Sequence, residues 1–300
     1  MFKHAAIVSL LALPVLPALG AEPVMLQYKY DTDEPVRAEI VQNVEQAQTM
    51  MGKKRSSTSK MTTRVVTELL EEKEDGSLLL SHKTDRVLMD LSASGVEIEY
   101  DSSLAEDRPL MSNPAIASAA ALVGWEVKLL IRPDGTVEEI ANLDQLKQTT
   151  ATLPEEADAQ AVQAMLQEDS LKSFHQTYLR LLPEEPVEPG DTWERAFSVP
   201  FSGGEMSMNL GLTLDKVEDG KAYITVGGDV TMDDVVQQGA TLSLKSGALD
   251  GAMVFNIEQG VQELYELEMD VSIGATAEGF PGEVFTADLT QNTRMQRLDF

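Results

Sequence analysis

The sequence predicts a mainly β protein with some α-helix, in which long, curved antiparallel sheet wraps around a small helical block. Two observations lead to this fold class. Apolar and polar residues alternate over long stretches, and Asp-Gly pairs recur between those stretches. Because successive side chains of a strand point to opposite faces, the alternation gives each strand one apolar face and one wet face.

Residues 1–20 have the features of a secretory signal peptide. Lys3 precedes an apolar run from Ala5 to Leu19, and a cut after Gly20 would follow small residues. The run is shorter than the ~20 residues of a membrane-spanning helix, and prolines interrupt it. We therefore expect an exported protein, periplasmic or extracellular, with a cleaved leader and no membrane span. The chain has no cysteine, which excludes a lipid-modified thiol and disulfides.

Residues 21–141 are expected to form an N-terminal β-rich half. The stretches "KEDGSL" and "RPDGTV" predict hairpins at Asp75-Gly76 and Asp134-Gly135, since both residues of an Asp-Gly pair tolerate positive φ. Between them, "SNPAIASAAALVG" predicts a short helix that begins near Pro114 and ends at Gly124.

Residues 142–190 are expected to form a helical block followed by a proline-rich joint. A helix beginning at Pro154 should present Val162, Met165 and Leu166 on one side. The next helix should begin near Asp169-Ser170 and end before Pro183. Its predicted apolar face consists of Leu171, Phe174, Tyr178 and Leu182. After the joint, Trp193 is expected to fill the sheet edge or the seam between helix and sheet.

Residues 191–300 are expected to form a C-terminal β meander. "MSMNLGLTLD", "YELEMDVSI" and "VFTADLTQN" alternate strictly, and Asp219-Gly220 predicts a hairpin. The hairpins at Asp75-Gly76 and Asp219-Gly220 share the order strand, Glu-Asp-Gly, strand, Val-x-Met-Asp. Two duplicated halves are one interpretation, and two independent hairpins with favoured turn residues are the other.

The net charge of −27 argues against nucleic-acid binding, because such a field repels phosphate backbones. One local exception is "KKRSSTSKMTTR", which holds five cations: Lys53, Lys54, Arg55, Lys60 and Arg64. This patch could meet an anionic headgroup or an acidic partner, or it could be a strand edge kept soluble by charge.

No catalytic motif is present. The chain lacks Gly-x-Ser-x-Gly, His-Glu-x-x-His, a Walker loop and Gly-x-Gly-x-x-Gly, and only His82 and His175 remain after the leader. "DLSASGVEIEYD" has the spacing of a calcium loop, but its strand-like flanks favour an ordinary turn. We expect no catalytic residue, no cofactor and no metal.

The joint "LPEEPVEPGDTW" resembles a Leu-Pro-x-x-Pro-Val-x-x-Gly-Asp-x-Trp signature of uncharacterised secreted bacterial proteins, and "GWEVKLLIRPDGTV" is similar to a hairpin of the same family. That family supplies no catalytic residues. The architecture also resembles the periplasmic lipoprotein-carrier type, a curved sheet around helices; this likeness is one of fold.

The preferred function is that of a non-catalytic exported binding or envelope-associated protein, carrying a lipid or another hydrophobic ligand between sheet and helices. A purely structural or protein-interaction module and a hydrolase of unknown substrate are the alternatives. Aromatic residues of the last helix and the flexible methionines of the strands are the candidate ligand-lining residues. They are Phe174, His175, Tyr178, Met206, Met208, Met253 and Met269.

Overall fold

The structure is a computed structural model that describes residues 22–298 except 94, 105–112, 121, 150–165, 202–203, 238, 279 and 281. The predicted signal peptide lies outside the described residues, and so does nearly all of the helix predicted to begin at Pro154. In the part of the chain that is described, no helix is long and apolar enough to cross a membrane.

The described elements are thirteen strands and three helices. The N-terminal strands are β1 (Val36–Met50), β2 (Lys53–Glu72), β3 (Leu78–Ala93), β4 (Val96–Asp101), β5 (Glu126–Ile131) and β6 (Val137–Ile140). The helices are α1 (Pro114–Ala120), α2 (Leu143–Thr149) and α3 (Glu168–Leu179). The C-terminal strands are β7 (Thr192–Phe201), β8 (Gly204–Glu218), β9 (Lys221–Met232), β10 (Val235–Gln237), β11 (Ala240–Asn256), β12 (Val261–Ala277) and β13 (Glu283–Arg297).

All of these strands belong to one antiparallel sheet, which confirms the predicted fold class. The main path of the sheet runs β6-β5-β3-β2-β1-β13-β12-β11-β9-β8-β7, with β4 beside β3 and β10 beside β11. The first and last strands of the chain join the two halves, because β1 pairs with β13 from Ala38↔Arg297 to Met50↔Phe285. Whether the halves arose by duplication stays a prediction.

The three Asp-Gly pairs that were predicted to form hairpins do lie in hairpin turns. They connect β2 to β3, β5 to β6, and β8 to β9. The last turn is the tightest: Glu218 pairs with Lys221, so only Asp219 and Gly220 lie between the strands. Both have positive φ, 51° and 73°, which is the backbone conformation that a two-residue hairpin with the right twist requires.

The apolar residues of the alternating stretches face the core. On β8, Leu210, Leu212 and Leu214 are buried, whereas Gly211 and Asp215 on the other face are exposed. Strands from both halves contribute to the main core cluster, together with the residues around α3. Each fully buried leucine contributes roughly 1.5–3 kcal/mol, so this long one-sided surface is the main stabilising feature of the fold.

The joint after α3 fastens the helix end to the edge strand β7. Trp193 Nε1 donates a hydrogen bond to the Leu181 carbonyl oxygen at 2.8 Å, and Arg195 donates to the Leu182 carbonyl oxygen. Leu181 and Leu182 are fully buried. Trp193 therefore lies at the seam between helix and sheet, as the sequence predicted.

Candidate functional site

A cavity of about 370 Å³ lies between the concave face of the sheet and α3. Strands β1, β2, β3, β5, β7, β8, β12 and β13 supply its walls, and α3 covers one side. Residues near both edges of the sheet line it, for example Val127 on β5 and Phe197 on β7. The sheet is therefore curled around this space.

The cavity wall is mainly apolar, and its described residues carry no charged side chain. None of the residues that the structure describes around it is Asp, Glu, Lys or Arg, although the chain has 73 such residues (23 Lys or Arg and 50 Asp or Glu). Five of the lining side chains are methionines, whose thioether chains adapt to different shapes. They are Met61, Met206, Met208, Met269 and Met295. A cavity of this size and composition suits an apolar ligand of modest size.

Most of the predicted ligand-lining residues lie at this cavity. The structure places six of the seven there: Phe174, His175, Tyr178, Met206, Met208 and Met269. Met253 does not line it. Its side chain is fully buried in the packed core on β11, where it stands opposite Tyr265 and Ile224 of the neighbouring strands.

Several lining residues were not among the predicted ones. Met61 and Val65 come from β2, Met295 comes from β13, and Trp125 lies immediately before β5. The alternation of β2 was a usable signal, since Met61, Thr63 and Val65 share one face. That β13 lies beside β12, and that β2 and β5 line the same cavity as β7, depends on the sheet order, which single-strand patterns do not reveal.

The apolar face of α3 differs from the predicted one. The buried residues are Leu171, His175 and Leu179, at steps of four, and Leu182 lies beyond the last helical residue. Phe174 is 55% exposed. The side of α3 that carries His175 faces the sheet, and not the predicted side that carries Phe174. Phe174 therefore lies at the opening of the cavity.

Two histidines and a tyrosine form a polar cluster in the wall, which elsewhere also holds glutamine and threonine side chains. The rings of His82 and His175 meet edge to face with centroids 5.4 Å apart. A hydrogen bond joins His82 Nδ1 to Thr67 Oγ1 at 3.0 Å, and another joins His175 Nδ1 to the Tyr178 hydroxyl. Burial lowers the pKa of His82 to about 4, and burial together with the nearby His82 holds the pKa of His175 well below its usual value. Both imidazoles are neutral at pH 7.

One buried hydroxyl at the cavity has no hydrogen-bond partner among the residues that the structure describes. Tyr265 lines the cavity from β12 with 3% exposure, and its hydroxyl makes no hydrogen bond to any described residue. Burial raises the pKa of Tyr265, so the hydroxyl stays protonated and can donate. A buried hydroxyl without a partner costs free energy, and a polar atom of a bound molecule would remove that cost.

The calcium-like loop forms the β3–β4 hairpin. Its last position, Asp101, accepts hydrogen bonds from Arg86 and from the Ser103 backbone N–H, and these contacts lower the pKa of the Asp101 carboxyl. Within the described ranges, no group of three or more His, Asp or Glu side chains is arranged to hold a metal ion.

Comparison with known proteins gives a family match and several distant likenesses. A family model described as "Family of unknown function (DUF6263)" matches residues 75–261, which include the "LPEEPVEPGDTW" joint. No curated protein matches the chain significantly.

The similar solved structures include that of lipovitellin, titled for its lipid–protein interactions, at 7% identity and a TM-score of 0.47; the match covers 90% of this chain and 26% of lipovitellin. DynF from the dynemicin biosynthesis pathway of Micromonospora chersina is 8% identical, with 98% and 94% coverage and a TM-score of 0.21. A DUF1329 family protein from Desulfovibrio piger is 7% identical, with 84% and 83% coverage and a TM-score of 0.14. The chain thus spans about a quarter of lipovitellin, and likenesses this distant carry no functional argument.

Proposed function

The chain belongs to the DUF6263 family of unknown function, and we propose that it is a non-catalytic exported protein that binds a hydrophobic ligand in the cavity between the curled sheet and α3. The observation that carries this proposal is the uncharged, methionine-rich wall in a protein whose charge is −27. A fully packed core, as a purely structural module would have, would need no such space.

The wall chemistry defines the ligand class. An ionised group inside the cavity would lose its hydration without meeting an opposite charge, which costs several kcal/mol. The neutral imidazoles and the free Tyr265 hydroxyl can instead hydrogen-bond an uncharged polar group. The ligand is therefore a mainly apolar molecule with one uncharged polar group, or an amphiphile whose charged end remains at the opening beside Phe174.

The size of the cavity limits the ligand further. A volume of about 370 Å³ is at the lower end of the range of small-molecule pockets, which begins at roughly 300 Å³. One apolar chain or a compact ring system fits this space, and a lipid with several chains does not. The methionines allow some adjustment, so a group of related molecules is expected rather than a single one.

Uptake of a probe tests the proposal. The uncharged dye Nile red should bind the purified protein with increased fluorescence, and a monoacylglycerol should displace it better than the matching fatty-acid anion. Native mass spectrometry of protein purified without detergent should show copurified apolar molecules. A protein that takes up no dye and carries no extractable molecule would contradict the proposal.

Cavity-filling variants localise the binding. In Met208→Trp and Met269→Trp, an indole occupies part of the cavity, so the affinity for Nile red should fall at least about tenfold. Met25→Trp is the matched control, because Met25 is 39% exposed and does not line the cavity. Equal binding by all three variants would show that the dye binds elsewhere. Unchanged thermal unfolding of the two cavity variants excludes a simple loss of structure.

A further inference from the structure

Four hairpin turns with exposed apolar residues lie at one end of the sheet. They connect β3 to β4, β1 to β2, β12 to β13, and β10 to β11, and these eight strands are direct neighbours. Large apolar side chains at or beside these turns are exposed to solvent by more than half of their surface. They are Val96 (59%), Met50 (59%), Met51 (75%), Phe280 (59%) and Val236 (74%).

The pairing register shows that these turns share one end. Met50 stands opposite both Lys53 and Phe285, so the β1–β2 turn lies beside the start of β13. Ala240 stands opposite both Gln237 and Ala277, so the β10–β11 turn lies beside the end of β12. The β3–β4 turn lies about four residues, or roughly 13 Å, further along β2, where Ser57 pairs with Ala93.

The turns at the other end have a different composition. The β2–β3, β5–β6, β8–β9 and β11–β12 turns contain acidic residues where the first group has apolar ones. These acids include Asp75, Asp134, Asp219 and Glu258. The turns at the two ends of the sheet therefore differ in their exposed apolar residues, whereas acidic residues occur at both ends.

The β1–β2 hairpin adds a cluster of cations to its apolar tip. Lys53, Lys54 and Arg55 follow Met50 and Met51 after Gly52, and all three cations are exposed. Acidic residues at this end of the sheet lie on other segments, among them Glu97 on β4, Asp233 and Asp234 before β10, Glu278 after β12, and Glu283 at the start of β13, which pairs with Lys245.

A polar groove of about 340 Å³ adjoins these cations. Lys54, Arg55 and three hydroxyl residues of β2 form one side, and the β3–β4 turn forms the other with Ser92, Ala93 and Gly95. None of the described residues that line the groove is acidic. Cations and hydroxyls are the groups that bind a phosphate oxygen.

We propose that the β1–β2 tip docks the protein on an anionic phospholipid bilayer. Met50 and Met51 insert among the headgroups, Lys53 and the groove around Lys54 and Arg55 contact lipid phosphates, and Phe280 on the adjacent tip adds apolar contact. The acidic turns face away from the membrane, since the negative surface repels them. This docking does not depend on the cavity holding a ligand.

Vesicle flotation tests the docking. The full chain should float with vesicles of phosphatidylglycerol and phosphatidylcholine, float weakly with pure phosphatidylcholine, and dissociate at high salt. Replacing Lys53, Lys54 and Arg55 by Gln should weaken binding on the order of a hundredfold, since each cation near such a surface contributes about 1 kcal/mol. Met50→Ser with Met51→Ser should weaken binding to the same vesicles at low salt, although all three cations remain.

Matched controls separate this surface from general effects. Gln substitutions at Lys73, Lys83 and Arg132, which are exposed cations away from this tip, should leave flotation unchanged. The cavity variant Met269→Trp should also float normally, so that failure of docking and failure of ligand binding are distinguishable. Equal loss in both cation variants, no flotation of the unaltered protein, or binding of inorganic phosphate without binding of vesicles would each overturn the proposal.

Discussion

His175 on α3 and His82 on β3 meet edge to face at 5.4 Å, with an interplanar angle of 79°. This is one of the contacts between the helix and the sheet, and both rings also line the cavity. Because burial keeps the imidazoles neutral, two groups that repel each other when protonated can pack together.

Acid should therefore loosen the helix from the sheet. An unfolded histidine has a pKa near 6.5, whereas the pKa of folded His82 is about 4, so the unfolded state binds more protons between these values. The contribution of His82 is fully present above about pH 6.5 and is lost as the pH falls toward about 4, and His175, whose pKa is also lowered, acts in the same direction. We expect a loss of roughly 1–3 kcal/mol in the free energy of unfolding, measured by denaturant titration across this range.

The many carboxyl groups also titrate in this range, so the effect of His82 on the unfolding free energy must be measured as a difference between the wild type and a variant. His82→Gln keeps a hydrogen-bonding partner for Thr67 and removes the titrating ring. Carboxyl effects that are common to the wild type and this variant cancel in the difference between their unfolding free energies. This difference should still change with pH, because only the wild type contains His82. A constant difference from pH 7.5 to 4.5 would show that His82 is not buried as a neutral group.

Gly135 sets the position of the helix end relative to the β5–β6 turn. Its φ is +87°, and a Cβ there would lie 1.9 Å from the Leu179 carbonyl oxygen and 2.9 Å from the Tyr28 ring. Gly135→Ala should therefore destabilise the protein by roughly 2–4 kcal/mol, because both the turn and the last turn of α3 must move. Thermal or denaturant unfolding measures the effect.

Gly220→Ala is the matched control for this variant. Gly220 also has a positive φ, +73°, in an Asp-Gly turn, but a Cβ there meets no atom within 4 Å. The backbone cost alone should be about 1 kcal/mol. Similar losses in the two variants would mean that the contact with Leu179 does not constrain the turn.

The sequence predicted the strands, the Asp-Gly turns and the joint because each depends on neighbouring residues. The alternation of Leu210, Leu212 and Leu214 identifies a covered face, and the Pro183 and Gly190 positions identify a break between helix and strand. The candidate cavity residues on α3 and β8 were found in the same way, from periodicity and side-chain type.

Contacts between distant segments were not predictable in this way. The pairing of β1 with β13 joins residues about 250 positions apart, and it brings Met61 and Met295 to the wall that holds Met208. The rotation of α3 toward His175 depends on which side faces the sheet, and the apolar residues alone favoured Phe174. Met253 has the residue type of the cavity methionines, but its strand places it in the packed core.

Calcium should not stabilise the β3–β4 hairpin. Asp101, which ends the calcium-like stretch, is already held by Arg86 and by the backbone of Ser103. A cation would have to displace these contacts, and no group of three or more His, Asp or Glu side chains in the described part of the chain is arranged to hold a metal ion. The melting temperature in excess Ca²⁺ should equal that in a chelator, and a rise of several degrees with Ca²⁺ would contradict this expectation.

Trp193→Phe should have two measurable effects. The substitution removes the indole N–H that binds the buried Leu181 carbonyl oxygen, so the unfolding free energy should fall by about 1–3 kcal/mol. It also leaves Trp125, which lines the cavity, as the single tryptophan of the chain. The emission of this variant should therefore change when an apolar ligand binds. The change should be absent when Met269→Phe, which fills the cavity without adding a second tryptophan, is combined with Trp193→Phe. Emission that does not respond to a ligand detected by native mass spectrometry would place that ligand outside the cavity.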